Sequence, residues 1–225
     1  MIMNVVKQLI LCSLAAMAVS CSSKQTICPD ALIVVKDVRI PKGEPLVARL
    51  AKHSWVDYRP DVDSPWRRIE IVSPTSGMLH HTISDKTVHA KKRWGERVRI
   101  LSQSRAEGNP DFVRDIVKFG ARYDASVYRP WPGPNSNTFA EKLIREVDGV
   151  SAQLGHNAVG KEHGFYLGKT AGGSGLELQT PLVGLALGVR EGIELSFLGL
   201  SGGVSVAPFA VKIPLIPALG NIPRK

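Results

Sequence analysis

The spacing of apolar residues changes several times along this chain, and each change marks an element. Leu9 to Ala18 form an apolar run after Lys7, too short to span a bilayer as a stable anchor. ALIVVKDVRI, from Ala31 to Ile40, is β-branched, and LVARLAKHSWVDY, from Leu46 to Tyr58, alternates. Both predict strands. WRRIEIVSP and ERVRILSQS predict two more strands of the same antiparallel sheet, separated by the polar, histidine-bearing stretch Gly77 to Trp94. Asn109 and Pro110 open a helix, PDFVRDIVKFGARY, whose apolar face is Phe112, Ile116, Val117 and Phe119. A second helix follows the proline-rich YRPWPGP. There Phe139, Leu143, Ile144 and Val147 recur at helical spacing, Glu141 and Arg145 pair on the other face, and Asn135, Ser136 or Asn137 offers the cap.

Beyond this helix the pattern shifts. Leu154 to Gly175 is a loop rich in glycine, histidine and lysine, and Leu176 to Ile213 is apolar, glycine-punctuated and nearly free of aromatics. Charges at Arg190, Glu191 and Glu194 interrupt it before it reaches the roughly twenty residues of a membrane-spanning helix. Glu191 and Gly192 suggest a hairpin turn, and Gly202 and Gly203 a second turn into VSVAPFAVKI. This predicts a β-meander whose apolar residues bury on the main domain, or else form a surface that leans on a membrane or a partner. The fold class is α+β: an antiparallel sheet flanked by about two helices, with a C-terminal glycine-rich β-hairpin layer. Residues 31–214 read as one domain, comprising a sheet-and-helix core over 31–150, a loop over 151–175 and the meander over 176–214, with a tail over 215–225.

Composition adds a compartment. Ala18, Val19, Ser20 and Cys21 follow the apolar run as a cleavage site and a cysteine. This resembles the lipobox of bacterial lipoproteins, although Ala18 stands where leucine is usual, and a plain signal peptide is the alternative. The lipoprotein reading makes 1–20 a signal peptide, Cys21 the lipidated residue and 21–30 a tether. It places the protein in the bacterial envelope, facing the periplasm, with the outer membrane preferred. Of three cysteines, Cys12 lies in the leader and Cys21 carries the lipid, leaving Cys28. Net charge is +9 over the whole chain and, with Lys7 removed, +8 over the rest. An exported basic protein is drawn to anionic envelope material. The basic residues are scattered apart from Lys91, Lys92 and Arg93 beside Trp94, which read as a solvated loop and strand edge, so nucleic acid is not the expected partner.

Candidate chemistry centres on Ser136. It is presented at a helix N-terminus after a stiff loop, where amide groups and the helix dipole favour developing negative charge. It is also an ordinary capping position. The six histidines are His53, His80, His81, His89, His156 and His163, and none has metal-site spacing. AGGSG, from Ala171 to Gly175, lacks the Lys-Ser or Lys-Thr of a P-loop. No metal and no cofactor is therefore expected. Lys161, Glu162, His156 and His163 form either a polar surface loop or a rim over a cleft.

HSWV, YRPWPGPNSNTF, the Gly160 and Lys161 region, AGGSG and GLALGVREGIELSFLGL together resemble the bacterial family called Domain of Unknown Function 3750, which implies no established activity. More distantly, His53 on a strand followed by Asn135, Ser136, Asn137, Thr138 and Phe139 at a helix start is similar to circularly permuted papain-like hydrolases of the NlpC/P60 kind. In those enzymes the histidine strand precedes an NC-x-x-F helix, and here serine replaces the cysteine. A serine hydroxyl needs an aligned base, since a dipole worth at most roughly 2 kcal/mol does not ionise it. Three readings follow. Ser136 is a cap; or it is a nucleophile with His53 as base and Asp57 or Glu70 behind it, hydrolysing amide or ester bonds; or the groove, lined by His53, Trp55, Tyr128, Trp131, Asn135 and Asn137, binds peptidoglycan peptide, lipid or envelope protein. A non-enzymatic structural or interaction lipoprotein is the competing class.

Overall fold

One residue of strand register separates the chemistry of this protein into layers. In a computed structural model of the chain, the described residues are 26–44, 46–73, 75–170, 173–189, 192–207 and 209–220. The leader 1–20 and Cys21 lie outside them, as do Arg190 and Glu191 of the expected hairpin turn. The first sheet contains β1 (Ile33–Arg39), β2 (Lys52–Tyr58), β3 (Arg67–Ile71), β4 (Met78–Thr82) and β7 (Arg99–Ser104), in the antiparallel order β4-β3-β2-β1-β7. A short ribbon, β5 (Lys92–Arg93) with β6 (Glu96–Arg97), lies apart from it. The helices among the described residues are α1 (Leu46–Leu50), α2 (Asp85–Val88), α3 (Phe112–Arg122) and α4 (Ser136–Glu146).

Because successive strand side chains point to opposite faces, β1 to β3 sort themselves cleanly. Ile33, Val35, Val56, Tyr58, Ile69 and Ile71 face the helices and pack with Phe112, Ile116, Phe119, Phe139 and Leu143 in the main core. The other face carries Lys36, His53, Trp55, Asp57, Arg68 and Glu70, all buried. It is covered by α2 and the ribbon, for Lys36 Nζ donates to Val88 O at 2.5 Å and the Arg93 guanidinium lies 4.8 Å from the Trp55 ring. Asp57 neutralises this layer, accepting from Lys36 Nζ at 2.7 Å and from Arg68 Nε and Nη2 at 2.7 and 3.0 Å.

Local sequence overrides the expected pattern in three places. LVARL forms α1 rather than the start of a strand, as good helix formers allow. The stretch 77–94 holds β4 and α2, the latter capped by Ser84, whose Oγ accepts from Thr87 N at 3.2 Å. The tether is not loose along its length, because Ile27 is buried with Trp66 and Val88 in a second apolar cluster.

The second sheet is a seven-stranded antiparallel meander: β8 (Tyr166–Lys169), β9 (Gly175–Gln179), β10 (Val183–Gly188), β11 (Gly192–Phe197), β12 (Leu200–Val206), β13 (Phe209–Lys212) and β14 (Leu219–Gly220). Gly202 and Gly203 lie inside β12, and the turn expected there falls instead at Leu198 and Gly199, both at positive φ. The tail is also drawn in, since Leu219 pairs with Val211.

Its faces are the reverse of those expected. Inward positions carry Glu177, Gln179, Glu194, Ser196, Ser201 and Ser205, all buried. Outward positions carry Leu176, Leu178, Val183, Leu185, Leu187, Ile193, Leu195, Phe197, Val204, Val206 and Phe209, all exposed. The meander therefore does not bury its aliphatic residues on the main domain.

Candidate functional site

The helix start at Ser136 is a joint between chain segments. Asn135 is the N-cap, its Oδ1 accepting from Asn137 N at 2.9 Å and Thr138 N at 3.3 Å, while Thr138 Oγ1 returns a 3.0 Å bond from Asn135 N. This capping box occupies the amides of Asn135, Asn137 and Thr138. Asn135 Nδ2 also donates to Pro130 O and Val159 O, both at 3.0 Å, and Thr138 Oγ1 donates to Gly160 O at 2.5 Å. Gly160 N in turn donates to Gly199 O at 2.9 Å, tying the helix start to the second sheet. Gly160 and Gly199 both adopt positive φ, and a Cβ on either would stand within 2.8 Å of Pro132 O.

Ser136 itself is 6 % exposed, and its side chain lies within hydrogen-bond reach of the Tyr128 hydroxyl, whose pKa burial pushes up. On the helix side of the sheet, β2 begins with Lys52 and Ser54. Lys52 O accepts from Asn137 Nδ2 at 2.8 Å and Lys52 Nζ donates to Asp37 at 3.3 Å, while Ser54 Oγ and Asn137 Oδ1 are buried atoms without a protein partner.

His53 belongs to the opposite face. Its Nε2 meets Glu70 Oε2 at 2.7 Å, and Arg93 grips the same carboxylate through Nη1 and Nη2 at 2.7 and 2.9 Å. Its ring is stacked on Trp55 and lies 5.2 Å from that of Trp94. Burial pushes the imidazole pKa down, further than Glu70 raises it. Burial also pushes Glu70 up, but bonds from His53 and Arg93 outweigh this and hold it at about 2. The result is a neutral imidazole donating from Nε2 to an ionised carboxylate.

Glu70, one of the two residues expected behind His53, meets its ring, and His53 and Ser136 belong to opposite faces of the sheet. The proposed groove is divided in the same way. His53 and Trp55 lie under the ribbon, whereas Asn135 and Asn137 lie at the helix start with Tyr128 half-buried against the main core. Trp131 is 55 % exposed on the proline-rich loop. The crevice beside Tyr128, Pro134 and Asn135 has a cavity volume of about 0 Å³, against the roughly 300 Å³ at which ligand pockets begin. Arg93 was missed because it reads as one of three cations in a loop; its partner lies 23 positions away.

Between the layers lies a dense charge network. Lys161 Nζ bonds Glu194 Oε1 at 2.7 Å and Glu162 Oε1 at 3.1 Å, and Lys212 Nζ bonds Glu194 Oε2 at 2.5 Å. Arg145 Nη2 bridges Glu141 Oε1 and Glu177 Oε2, each at 2.7 Å. Glu141, Arg145, Lys161, Glu177 and Glu194 line a cavity of about 20 Å³, room for about one water molecule. Burial pushes Glu141 and Glu162 up, while Lys161 and Lys212 hold Glu194 down at about 2 against its own burial. Lys161 and Glu162, expected at a loop surface or a rim, are the buried cement of the interface. Among the described residues no group of three His, Cys, Asp or Glu is placed to hold a metal ion.

A family described as protein of unknown function (DUF3750) matches residues 34–163. The match takes in the first layer and the joint and ends at His163, before β8, so AGGSG and the meander segments lie outside it. No curated protein and no solved structure matches the chain. More than half of the sequence falls within the matched span, and the chain belongs to the DUF3750 family.

Proposed function

We propose that this protein is a non-enzymatic interaction protein of the bacterial envelope, held at the membrane by a lipid on Cys21 and making its contacts through the outer face of β8 to β14. The observation that carries this reading is the polarity of the second sheet. Its ionic residues are spent on internal cohesion, and its Leu, Ile, Val and Phe side chains stand in solvent across adjacent strands. Soluble monomers rarely leave an apolar patch of that extent uncovered. The pairs Leu185 with Leu195, Leu187 with Ile193 and Ile193 with Val204 make the face continuous.

Hydrolysis at Ser136 is the weaker reading. It requires an imidazole beside the hydroxyl, and His53 is committed to Glu70 across the sheet. A broad serine-reactive phosphonate is therefore expected to leave the protein unlabelled, and labelling lost in Ser136→Ala would overturn the non-enzymatic assignment. Release of a Cys21→Ala variant from the membrane fraction tests the anchor, and persistent soluble secretion of the wild type would sink it.

A further inference from the structure

The reading of the outer face as a contact surface leaves its partner open, and we infer that the partner is a second copy of this chain, packed sheet against sheet about a two-fold axis near Leu195. This rests on the outer face being a contact surface and goes further by naming what covers it.

Area is the first argument. The six strands β8 to β13, of four to seven residues each, give a face of about 500 Å² at roughly 3.4 Å per residue and 4.8 Å spacing. Pairing two such faces removes about 1,000 Å² from water, the lower bound for a specific protein interface. β11 is the fourth strand of seven in the sheet order. Leu195, on β11 between Leu185 and Gly202, is therefore the outward residue nearest the centre. A two-fold axis there would match each face to itself.

Charge is the second argument. The chain carries a net +9, which opposes self-association at most surfaces. On the outward strand positions among the described residues the only charge is Lys169, at the end of edge strand β8. Self-pairing of this face thus brings no like charges together at its centre.

Composition of the face argues for protein over lipid. Surfaces that sit in a bilayer interface carry Trp and Tyr at headgroup level. Here the outward positions have phenylalanine alone, at Phe197 and Phe209, while Trp55 and Trp66 are buried in the first layer. The strands have two to seven residues, fewer than the roughly nine to eleven a membrane-spanning strand needs. Two flat sheets with aliphatic faces pack about 10 Å apart by interdigitation, as in a sandwich core.

The test uses the full chain in its own envelope. Two copies with different affinity tags are co-expressed, each carrying Leu195→Cys in a Cys28→Ser background, and treated with a bis-maleimide that reaches roughly 10 Å. The expected result is a covalent species containing both tags, at least tenfold more abundant than with a cysteine at exposed Val62. Adding Leu185→Glu and Val204→Glu should remove it. A Leu195→Cys thiol shielded from maleimide in the envelope but never linking the two tags would overturn the dimer while leaving the contact surface standing. If such a protein then floats with phosphatidylglycerol-containing vesicles, the face covers lipid. A thiol that reacts in the envelope as fast as in urea would overturn both.

Discussion

Asn135 Nδ2 lies 2.5 Å from where a Cβ of Gly160 would stand. The carboxamide that caps α4 therefore passes through the space a side chain would need, with Pro132 O only 2.8 Å from the same point. This contact explains why the proline-rich string and the distant glycine go together. The string builds a helix cap, the glycine lets a second segment cross over it, and Gly199 brings in the second sheet.

Gly160→Ala should consequently cost more than a cap deletion. It places a methyl group against backbone and forces an alanine to positive φ, on the order of 2 kcal/mol or more. Asn135→Ala, which removes the donor to Pro130 O and the acceptor of two helix amides, should cost about 1 to 2 kcal/mol. Ser136→Ala should cost less than either. Urea unfolding of the three variants checks the order, and Ser136→Ala as the most damaging change would contradict the joint.

The acid limb of stability should belong largely to Glu70 and Glu194, the two carboxyls held at about 2. A carboxyl held at about 2 in the folded state, against an ordinary 4.5, contributes stability above pH 4.5 that is lost as pH falls toward 2. His53 acts in the same direction. Its lowered pKa means that the unfolded chain takes up the proton first, so stability begins to fall below about pH 6.5. Glu70→Gln should lower stability at pH 7 by roughly 3 kcal/mol, because Arg93 loses its charge partner. It should also flatten the profile between pH 4.5 and 2. Unfolding midpoints across this range read the effect, and an unchanged slope would contradict the assignment.

Within the interlayer network, two glutamates should respond in opposite ways. Glu194 is held at about 2 by Lys161 and Lys212, so Glu194→Gln leaves buried Lys161 and half-buried Lys212 short of charge and should cost about 3 kcal/mol. Burial raises Glu141, and its Oε2 has no protein partner, so Glu141→Gln should stay within about 1 kcal/mol of the wild type. Thermal unfolding of both variants decides this, and equal losses would contradict it.

Much of the first layer was legible in the sequence because β-branched runs and amphipathic helices have distinct periods. α1 escaped because LVARL satisfies a strand-like alternation and a helical turn equally. The site was less legible. A histidine at position 53 and a serine at 54 differ by one residue of register, and that single step decides which faces α4. The second sheet was readable as a meander from VGLALG and GIELSF, where aliphatics alternate with small or polar residues. Its orientation was not readable, because Glu177 and Glu194 look like solvent-facing positions until Arg145, Lys161 and Lys212 are seen to meet them.

The outer face of the second sheet can be tested most directly by the reactivity of a single thiol. Leu185→Cys, in a Cys28→Ser background, should react with a membrane-permeant maleimide at least tenfold more slowly in intact cells than in the same protein unfolded in urea, while a thiol at exposed Val62 reacts equally fast in both. Equal labelling of the two positions in intact cells would show that the aliphatic face stands uncovered, and would contradict its role as the working surface of this protein.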